Sequence, residues 1–506
     1  MFWADKVAEE IIQSKEHKPY WVDDMFTPSG FAHVGSLRGP LVHDIIYRAL
    51  KDEKQKVTWT YVMNDFDTID GLPSELMQDF EKYLGVPLRM APSPDKAYQS
   101  FAEYFAKDFE KVLRGLGVEA KILSSWDMYH EGKFNDVIKT ALDNAEKIQD
   151  IYQKVSGSKK KEMGWLPLQV ICQNCGKLGT TRVYEWDGKT VAYKCEPSMV
   201  KWAKGCDFEG RISPYDGNGK LPWKVDWPAH WKVMGVTIEG AGKDHSSAGG
   251  SRDIAKELCK EVFHYPNPYN LPYEFFLIGG KKMASSKGLG LKARELADVL
   301  PWEVGRFLFT RTDYKKAIEF DPVGTLAIPN LFDEYQKCAD AYFNNGDKDM
   351  ARAFELSQIG EPKMPPQIRF TVLAQWVQMP NMEEAIKNEG LEEWAKYARV
   401  WVEKFAPEEE KFEVKKEFPQ NAKNLSKEQK EVLKRISEEL SGEWTGDLFQ
   451  TKIYDLGKEM GLNGKDTFRA IYLSLIGKDH GPKAAWLILS LDRDFVKRRF
   501  NEVASS

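Results

Sequence analysis

TPSGFAHVGSLRG, residues 27–39, is the stretch on which the interpretation of the whole chain depends. It follows a strand-like run over residues 20–26 and leads into a helix-like run. Pro28 and Gly30 suit a tight turn from strand to helix, and Gly35 lets another molecule approach the backbone closely. The free N–H groups of a helix's first turn form a natural phosphate site. The stretch therefore predicts a phosphate-binding turn at the start of a helix.

Two side chains of this stretch, His33 and Ser36, are three residues apart and face the same way on a helical first turn. An imidazole there can donate to a phosphate oxygen whose negative charge grows during displacement, and the hydroxyl can hold a neighbouring oxygen. The alternative is a glycine-rich helix start with a hydrogen-bonded surface histidine. A second stretch bears on this choice.

That second stretch is lysine-rich: GGKKMASSKGLG, residues 279–290, directly follows an apolar strand-like run over residues 275–278. Its ammonium and hydroxyl groups suit a polyphosphate, and its glycines let a loop open and close. A solvated lysine-rich turn is the alternative for such a run. The candidate donors are Lys281, Lys282, Ser285, Ser286 and Lys287.

Together the two stretches resemble the signature pair of the class I aminoacyl-tRNA synthetases. HVGS, residues 33–36, matches the motif written HIGH in that family, and KMASS, residues 282–286, matches KMSKS. Their order and separation also fit the family. Ser36 stands where many class I enzymes have the second histidine of HIGH, and Ser285 stands where they have the second lysine of KMSKS. We assign the missing charge to Lys287.

The composition is that of an ordinary soluble protein. The 506 residues are 42% hydrophobic and 29% charged, and the length suits about three domains. The N-terminal segment has acids and the apolar spacing of an amphipathic helix, so it is not predicted to be a signal peptide. The longest apolar run, residues 484–491, is too short to span a bilayer. The net charge of −5 argues against a general polyanion binder. We expect a cytoplasmic protein with no membrane role.

Four of the six cysteines cluster in one part of the chain. In a cytosolic protein such a cluster favours thiolate metal ligands over disulfides. The CxxC pair followed by Gly176 is typical of a zinc knuckle, whereas the ten residues between the other two cysteines depart from a regular zinc ribbon. A structural Zn²⁺ in a small module is the interpretation, and a reduced, partly buried thiol cluster is the alternative. The four are Cys172, Cys175, Cys195 and Cys206.

Strand and helix patterns alternate over residues 20–125, which predicts a doubly wound sheet. VTWTYVM, residues 57–63, is a strand candidate that ends in NDFD, residues 64–67, where polar groups would face a ligand crevice. A charged helix over residues 132–156 and the cysteine module then interrupt the pattern. We expect the sheet to resume with VMGVTIEG, residues 233–240, as a strand.

Residues on either side of that resumed strand are candidate ligand contacts. The glycines of residues 240–250 let the backbone approach a ribose or adenine, and His245 is well placed for substrate, with a helix-capping or core histidine as the alternative. Trp223, Trp227 and Trp231 are spaced by four. Aromatic faces can surround an alkylammonium group, although such a stripe also suits a helical core. We favour the pocket for Trp223 and Trp227 and the core for Trp231.

The chain also contains DWPAHW, GKDHSSAGGSRD and KKMASSKG, besides the cysteine insertion. With these features it resembles the class I lysyl-tRNA synthetases over essentially its whole length. The resemblance implies ATP with Mg²⁺, L-lysine and tRNA(Lys), and we expect a monomer. It implies catalytic roles for His33, Ser36, Lys282, Ser285, Ser286 and Lys287. It implies ATP contacts at Pro28, Gly30, His33, Gly35, Ser36, Gly242, Asp244, Lys282 and Met283. It implies lysine contacts at Gly30, Trp223, Trp227, His245 and Tyr273.

The predicted architecture is α/β, with a Rossmann-type, doubly wound catalytic domain that carries a zinc-module insertion and is followed by an all-α C-terminal domain. We expect the catalytic halves at residues 1–130 and 226–295, around an insertion at residues 131–225. A connecting helical domain would cover residues 296–360 and a helical anticodon-binding domain residues 361–506.

The C-terminal third carries no catalytic motif. Ser426 and Gln429 form a capping-box signature before an amphipathic helix. A solvated helical bundle is one interpretation. Similarity to the anticodon-binding helical cage of the lysyl and glutamyl class I enzymes implies RNA binding, in which unstacked bases lie on aromatic side chains.

The resemblance implies a two-step reaction. The lysine carboxylate attacks the α-phosphate of ATP to give lysyl-adenylate and pyrophosphate, and a terminal ribose hydroxyl of tRNA(Lys) then attacks the adenylate. Three alternatives stay open: a glutamyl-tRNA synthetase-like enzyme, a tRNA-independent nucleotidyltransferase, and a synthetase-like tRNA-binding protein without activity.

Overall fold

The computed structural model describes residues 1–158, 164–282 and 291–506, with only the backbone described at Lys282. It forms two compact units. The first comprises Met1–Phe320 with Asp340–Pro362, and the second comprises Asp321–Ala339 with Lys363–Ser506. Within the described ranges, no helix combines the length and hydropathy needed to cross a membrane.

The strands all precede residue 320, and the helices run throughout the chain. The strands are β1 (Tyr20–Phe26), β2 (Val57–Met63), β3 (Lys121–Ser124), β4 (Gln169–Val170), β5 (Thr181–Trp186), β6 (Val191–Cys195), β7 (Glu209–Ile212), β8 (Gly219–Lys220), β9 (Ala241–Gly242), β10 (Pro272–Tyr273), β11 (Phe276–Ile278), β12 (Lys281–Lys282) and β13 (Ile318–Glu319). The helices up to residue 310 are α1 (Trp3–Ser14), α2 (Arg38–Asp52), α3 (Met77–Phe80), α4 (Phe101–Gly115), α5 (Ser125–His130), α6 (Asn135–Asp143), α7 (Ala145–Ser156), α8 (Trp223–Met234), α9 (Lys243–Ser246), α10 (Ser251–Leu258), α11 (Leu296–Val299) and α12 (Trp302–Thr310). The remaining helices are α13 (Ala327–Phe343), α14 (Lys348–Ser357), α15 (Phe370–Trp376), α16 (Glu383–Asn388), α17 (Glu392–Lys404), α18 (Lys427–Glu439), α19 (Gly446–Glu459), α20 (Gly464–Leu475), α21 (Ala484–Ser490) and α22 (Arg493–Ala504).

A parallel sheet organises the first unit. Strand β2 lies between β1 and β3, and both pairings are parallel. On the other edge of β1, Val22 forms a parallel bridge to Ile238, which in turn bridges to Tyr269. The chain positions therefore follow the order β3, β2, β1, residue 238, residue 269, as in a doubly wound sheet whose order reverses beside β1. Ligands of such sheets bind outside the carboxyl ends of the strands at this reversal.

The predicted strands at residues 20–26 and 57–63 are confirmed, and the sheet resumes within residues 233–240, at Ile238, but the first two residues of that predicted strand are helical. Val233 and Met234 belong to the last turn of α8, because the tryptophan stripe continues at helical spacing to Met234. Gly235 ends that helix with φ of +84°, a left-handed conformation that glycine adopts without strain.

The cysteine-rich insertion forms two small antiparallel sheets. Strands β5, β6 and β7 form one of them, and β4 pairs with β8 in the other. The loop that contains Leu178 and Gly179 contacts the chain that follows β2, because the N–H groups of these two residues donate to the carbonyl of Gly85 at 2.7 and 3.0 Å. The insertion is therefore held against the segment that leaves the carboxyl end of β2.

The second unit is helical throughout its assigned elements. Its helix α18 begins with the predicted capping box: the Gln429 N–H donates to Ser426 Oγ at 3.2 Å, and the Ser426 N–H donates to Gln429 Oε1 at 3.0 Å. Val432, Leu433 and Ile436 of this helix are fully buried, as the amphipathic pattern predicts. The predicted class, an α/β unit followed by a helical one, is confirmed.

Candidate active site

The signature turn lies at the carboxyl end of β1. Pro28 and Gly30 lie in the turn, and Gly35 and Ser36 lie in a short 3₁₀ helix, Val34–Leu37, that leads into α2. His33 caps this helix, because its Nδ1 accepts a hydrogen bond from the Ser36 N–H at 3.1 Å. In a neutral imidazole that accepts at Nδ1, the proton is on Nε2. The cap therefore fixes the tautomer in which Nε2 donates.

The chain that leaves the lysine-rich stretch is hydrogen-bonded to the signature turn. The Val34 N–H donates to the Leu291 carbonyl at 2.9 Å, and the Ala293 N–H donates to the Ala32 carbonyl at 2.8 Å. The chain enters the stretch through the antiparallel pair β11 and β12. Of the residues predicted to contact phosphate, Lys282 is described by its backbone alone. Those outside the described residues are Met283, Ser285, Ser286 and Lys287.

The predicted lysine contacts on α8 and α9 lie together. Trp223 and Trp227 stack with ring centroids 5.2 Å apart, and the His245 ring lies 6.1 and 6.2 Å from them. Trp223 is 36% exposed and His245 is exposed, so His245 is not a core histidine. Trp227 is buried behind Trp223, and Trp231 is fully buried, as predicted. The rings of Trp223, Trp227 and His245 face one another and form an aromatic wall beside the sheet.

A buried carboxyl group, Glu239, lies behind this wall. Its two oxygens accept hydrogen bonds from the indole N–H groups of Trp227, at 2.7 Å, and Trp231. The Arg252 guanidinium lies 4.4 Å from the Trp231 ring and donates to the Glu239 carbonyl at 3.0 Å. Burial raises the pKa of Glu239 to about 7, against the lowering effect of the Trp227 donor and the Arg252 charge.

A second buried carboxyl group, Asp24 of β1, lies beside Tyr273. A Cβ atom at Gly39 would lie 2.7 Å from Asp24 Oδ2 and 2.8 Å from the Tyr273 hydroxyl, so any other residue there would require these side chains to move. Burial, and then the charge of Glu239, raise the pKa of Asp24 well above its usual range. The hydroxyl of Tyr273 and the carboxylate of Asp24 therefore converge on one point.

Gly242 and Asp244, two of the predicted ATP contacts, lie next to Tyr273 at the same edge of the sheet. A Cβ atom at Gly242 would lie 3.5 Å from Asp244 Oδ1 and 3.6 Å from Tyr273 Cε2. His43 of α2 fixes this arrangement: its Nε2 accepts from the Gly240 N–H at 2.7 Å, and its Nδ1 donates to the Gly39 carbonyl at 2.8 Å. Burial lowers the pKa of His43 to about 4, so the ring is neutral.

The four clustered cysteines of the insertion have the geometry of a metal site. Their sulfur atoms all lie within 4.8 Å of one another, and the closest pairs, Cys172 with Cys206 and Cys175 with Cys195, are 3.6 and 3.7 Å apart. A tetrahedral zinc with Zn–S bonds of about 2.3 Å has sulfur–sulfur edges of about 3.8 Å. The donor set therefore fits a metal ion, although the spacing of the last two cysteines departs from a regular ribbon.

Two known families match most of the chain. Residues 1–360 match a family described as tRNA synthetases class I (K), and residues 380–504 match one described as Anticodon binding domain. The chain belongs to the class I lysyl-tRNA synthetases. It is 34% identical to a lysine–tRNA ligase of Archaeoglobus fulgidus, with 99% of each chain covered. It is also 34% identical to a lysine–tRNA ligase of Methanocaldococcus jannaschii, again with 99% of each covered. A glutamate tRNA ligase structure from Elizabethkingia meningosepticum is 13% identical with a TM-score of 0.46, covering 97% of this chain and 100% of its own.

Asp24 and Glu239 of this synthetase were not singled out from the sequence. A signal was present for Asp24, because two consecutive acids, Asp23 and Asp24, interrupt the apolar strand YWVDDMF. A buried carboxyl group is costly unless a cation or donors accompany it. Two acids inside an apolar strand are therefore a signal that sequence reasoning could have used.

Proposed function

We propose that the chain activates L-lysine with ATP and transfers it to the 3′ end of tRNA(Lys), as a cytoplasmic monomer. In the first step an oxygen of the lysine carboxylate forms a bond to the α-phosphorus of the ATP–Mg²⁺ complex. The bond from that phosphorus to the β-phosphate oxygen breaks, and pyrophosphate leaves with the electron pair. In the second step a terminal ribose hydroxyl of the tRNA displaces AMP from lysyl-adenylate.

One observation carries the preference for lysine: two buried carboxyl groups lie beside the predicted amino-acid contacts. Asp24 is 7% and Glu239 is 1% exposed, and burial raises the pKa of both carboxyl groups. An ammonium group that enters between Tyr273 and the aromatic wall would meet the Asp24 carboxylate, with Glu239 as a second negative charge behind the wall. A glutamate side chain would add a like charge to a low-dielectric site, which is strongly unfavourable.

The signature turn supplies the phosphate end of the site. We assign to His33 the donation of Nε2–H to the α-phosphate oxygen on which charge accumulates, and to Ser36 a contact with a neighbouring oxygen. Lys282, with Ser285, Ser286 and Lys287 outside the described residues, is proposed to neutralise the leaving pyrophosphate. Pro28, Gly30 and Gly35 are proposed to let the nucleotide approach the backbone.

The residues near the strand ends complete the assignment. Gly242, Asp244 and Met283 are proposed to contact the adenosine or phosphates of ATP. Trp223, Trp227, His245, Tyr273 and Gly30 are proposed to contact lysine. Because no nucleophilic side chain takes part, the rate enhancement comes from positioning and from stabilisation of charge in the transition state.

The cysteine cluster is proposed to hold one structural Zn²⁺. Four thiolates complete a tetrahedral shell, which leaves no open position for a substrate. The metal would therefore stabilise the fold of the insertion. The second unit is proposed to bind the anticodon through single-stranded bases.

The test is ATP–pyrophosphate exchange with lysine and with glutamate, each with and without total tRNA. Exchange that depends on lysine is the expected result. Exchange with glutamate would assign the pocket to the glutamyl enzymes. No exchange under any condition would overturn the catalytic proposal and leave tRNA binding as the better one.

A further inference from the structure

Lys220 forms a buried ion triad that joins the chain after β2 to β8 and the first turn of α8. It lies on β8, the last strand of the cysteine-rich insertion, and is 4% exposed. Its Nζ lies 2.8 Å from Asp67 Oδ1 and 2.8 Å from Asp226 Oδ2. Asp67 follows β2 in the polar run at residues 64–67, and Asp226 lies in the first turn of α8.

The triad extends at both ends into the parts of the molecule that carry the substrate contacts. Asp67 Oδ2 accepts a hydrogen bond from Thr27 Oγ1 at 2.8 Å, and Asp226 Oδ1 accepts one from the Tyr129 hydroxyl. Thr27 is the first residue of the signature turn. Asp226 lies on α8 between Trp223 and Trp227. One ammonium group is therefore connected to the ATP side and to the lysine side of the site.

Stability alone does not account for a buried lysine between two carboxylates. Apolar side chains of similar volume commonly stabilise a core as well as a buried ion pair does, because desolvation offsets the attraction of the charges. What the ion triad adds to the hydrogen bonds between β1 and β2 is a fixed distance from the chain after β2 to β8 and α8. We propose that Lys220 is a positioning residue that holds the signature turn and α8 at the separation that adenylate formation requires.

This inference rests on the proposed function, because it concerns the alignment of ATP with the amino acid. Misalignment of bound reactants lowers the rate of the chemical step more than it weakens binding. Loss of the link should therefore lower kcat and leave the KM values for ATP and lysine nearly unchanged. A merely structural residue would instead lower the fraction of folded enzyme and the melting temperature.

The sharpest variant is Thr27→Val, which has the shape of threonine without the hydroxyl, paired with Thr27→Ser, which keeps the hydroxyl. We expect T27V to lower kcat of lysine-dependent ATP–pyrophosphate exchange about tenfold, as suits the loss of one hydrogen bond to a charged group, and T27S to keep most of the wild-type value. Lys220→Met should lower kcat at least as far. Arg211→Met is the matched control, because Arg211 also bridges two carboxylates of the insertion but is exposed and lies outside the triad.

The double variant T27V/K220M decides whether the two residues act through one link. If they do, its kcat equals that of K220M. Independent contributions would multiply and overturn the inference, as would a T27V enzyme with wild-type kcat. If K220M does not fold, the T27V and T27S comparison decides alone. If the wild type uses glutamate, the proposed function fails, and the variants are compared with glutamate as the substrate instead. If the wild type shows no exchange, both the proposed function and the positioning role of Lys220 are overturned.

Discussion

Replacing Asp24 by asparagine is expected to weaken lysine activation without weakening the fold. The carboxyl group is buried on β1, and its pKa is raised by burial and by the charge of Glu239. A carboxyl group whose pKa is higher in the folded than in the unfolded state favours folding less as the pH rises above its unfolded value. At pH 8 the neutral asparagine side chain of the D24N variant removes that cost. Its amide oxygen can still accept the Met25 N–H, which lies 2.9 Å from Asp24 Oδ1.

The effect on lysine is opposite in sign. Two opposite unit charges 4 Å apart attract by roughly 4 kcal/mol at an effective dielectric constant of 20. Removing one partner of a buried charge pair costs roughly 2–5 kcal/mol. Because Glu239 remains to attract the ammonium group, the lower end applies, about 2 kcal/mol. At 1.36 kcal/mol per factor of ten, this predicts about a 30-fold loss in kcat/KM for lysine.

The assay is ATP–pyrophosphate exchange over a range of lysine concentrations at pH 8, together with thermal unfolding of each variant. Asp52→Asn is the matched control, since Asp52 is an exposed acid on α2 of the same unit. The expected pattern is a melting temperature at or above that of the wild type, with a raised KM for lysine and an unchanged KM for ATP. An unchanged kcat/KM for lysine would refute the acidic-pocket assignment. A melting temperature that falls in step with activity would show that Asp24 has only a structural role.

Other substitutions test the pH dependence of the site, its metal cluster and the signature histidine. Because Glu239 has a pKa of about 7, kcat/KM for lysine should fall as the pH decreases through 7; in Trp227→Phe, which removes a donor that lowers this pKa, the fall should begin at higher pH. Cys175→Ser should abolish stoichiometric zinc, measured by elemental analysis, and lower the melting temperature of the first unit; retained zinc would contradict the four-thiolate site. His33→Ala should lower exchange and cost about 1 kcal/mol through the lost cap on Ser36, whereas His33→Asn should restore the stability and not the rate; wild-type activity of His33→Asn would contradict a role for Nε2.

The regular part of the sheet could be predicted from the sequence because its strands are locally distinct. Residues 20–26 and 57–63 are rich in aromatic and β-branched side chains and end in turn or polar residues. Residues 233–240 have a similar composition, yet the first two of them complete α8. The decisive feature there is the helical spacing that ends at Met234, which an interpretation based on composition overlooks.

The site was predictable where its residues lie in one motif and missed where the fold assembles them. The candidate residues His33, Ser36 and Trp223 could be found from contiguous patterns. Asp24 and Glu239 come from segments separated by nearly the whole first half of the chain, and only the pairing of β1 with residue 238 brings them together. Sequence spacing carries no information about such pairs, since their proximity depends on the order of strands in the sheet.

The pairing of β1 with residue 238 also determines when this part of the sheet can form during synthesis of the chain. The Trp21 N–H donates to Thr237 Oγ1 at 3.0 Å across 216 positions of sequence. At roughly 5–20 residues per second, a ribosome needs about 10–40 s to supply the second partner after the first has emerged. During that interval β1 has β2 on one side and an open edge on the other, and an open edge is a template for wrong pairing. The insertion is completed within the same interval, so the edge of β1 that pairs with residue 238 stays open until the whole insertion has been synthesised.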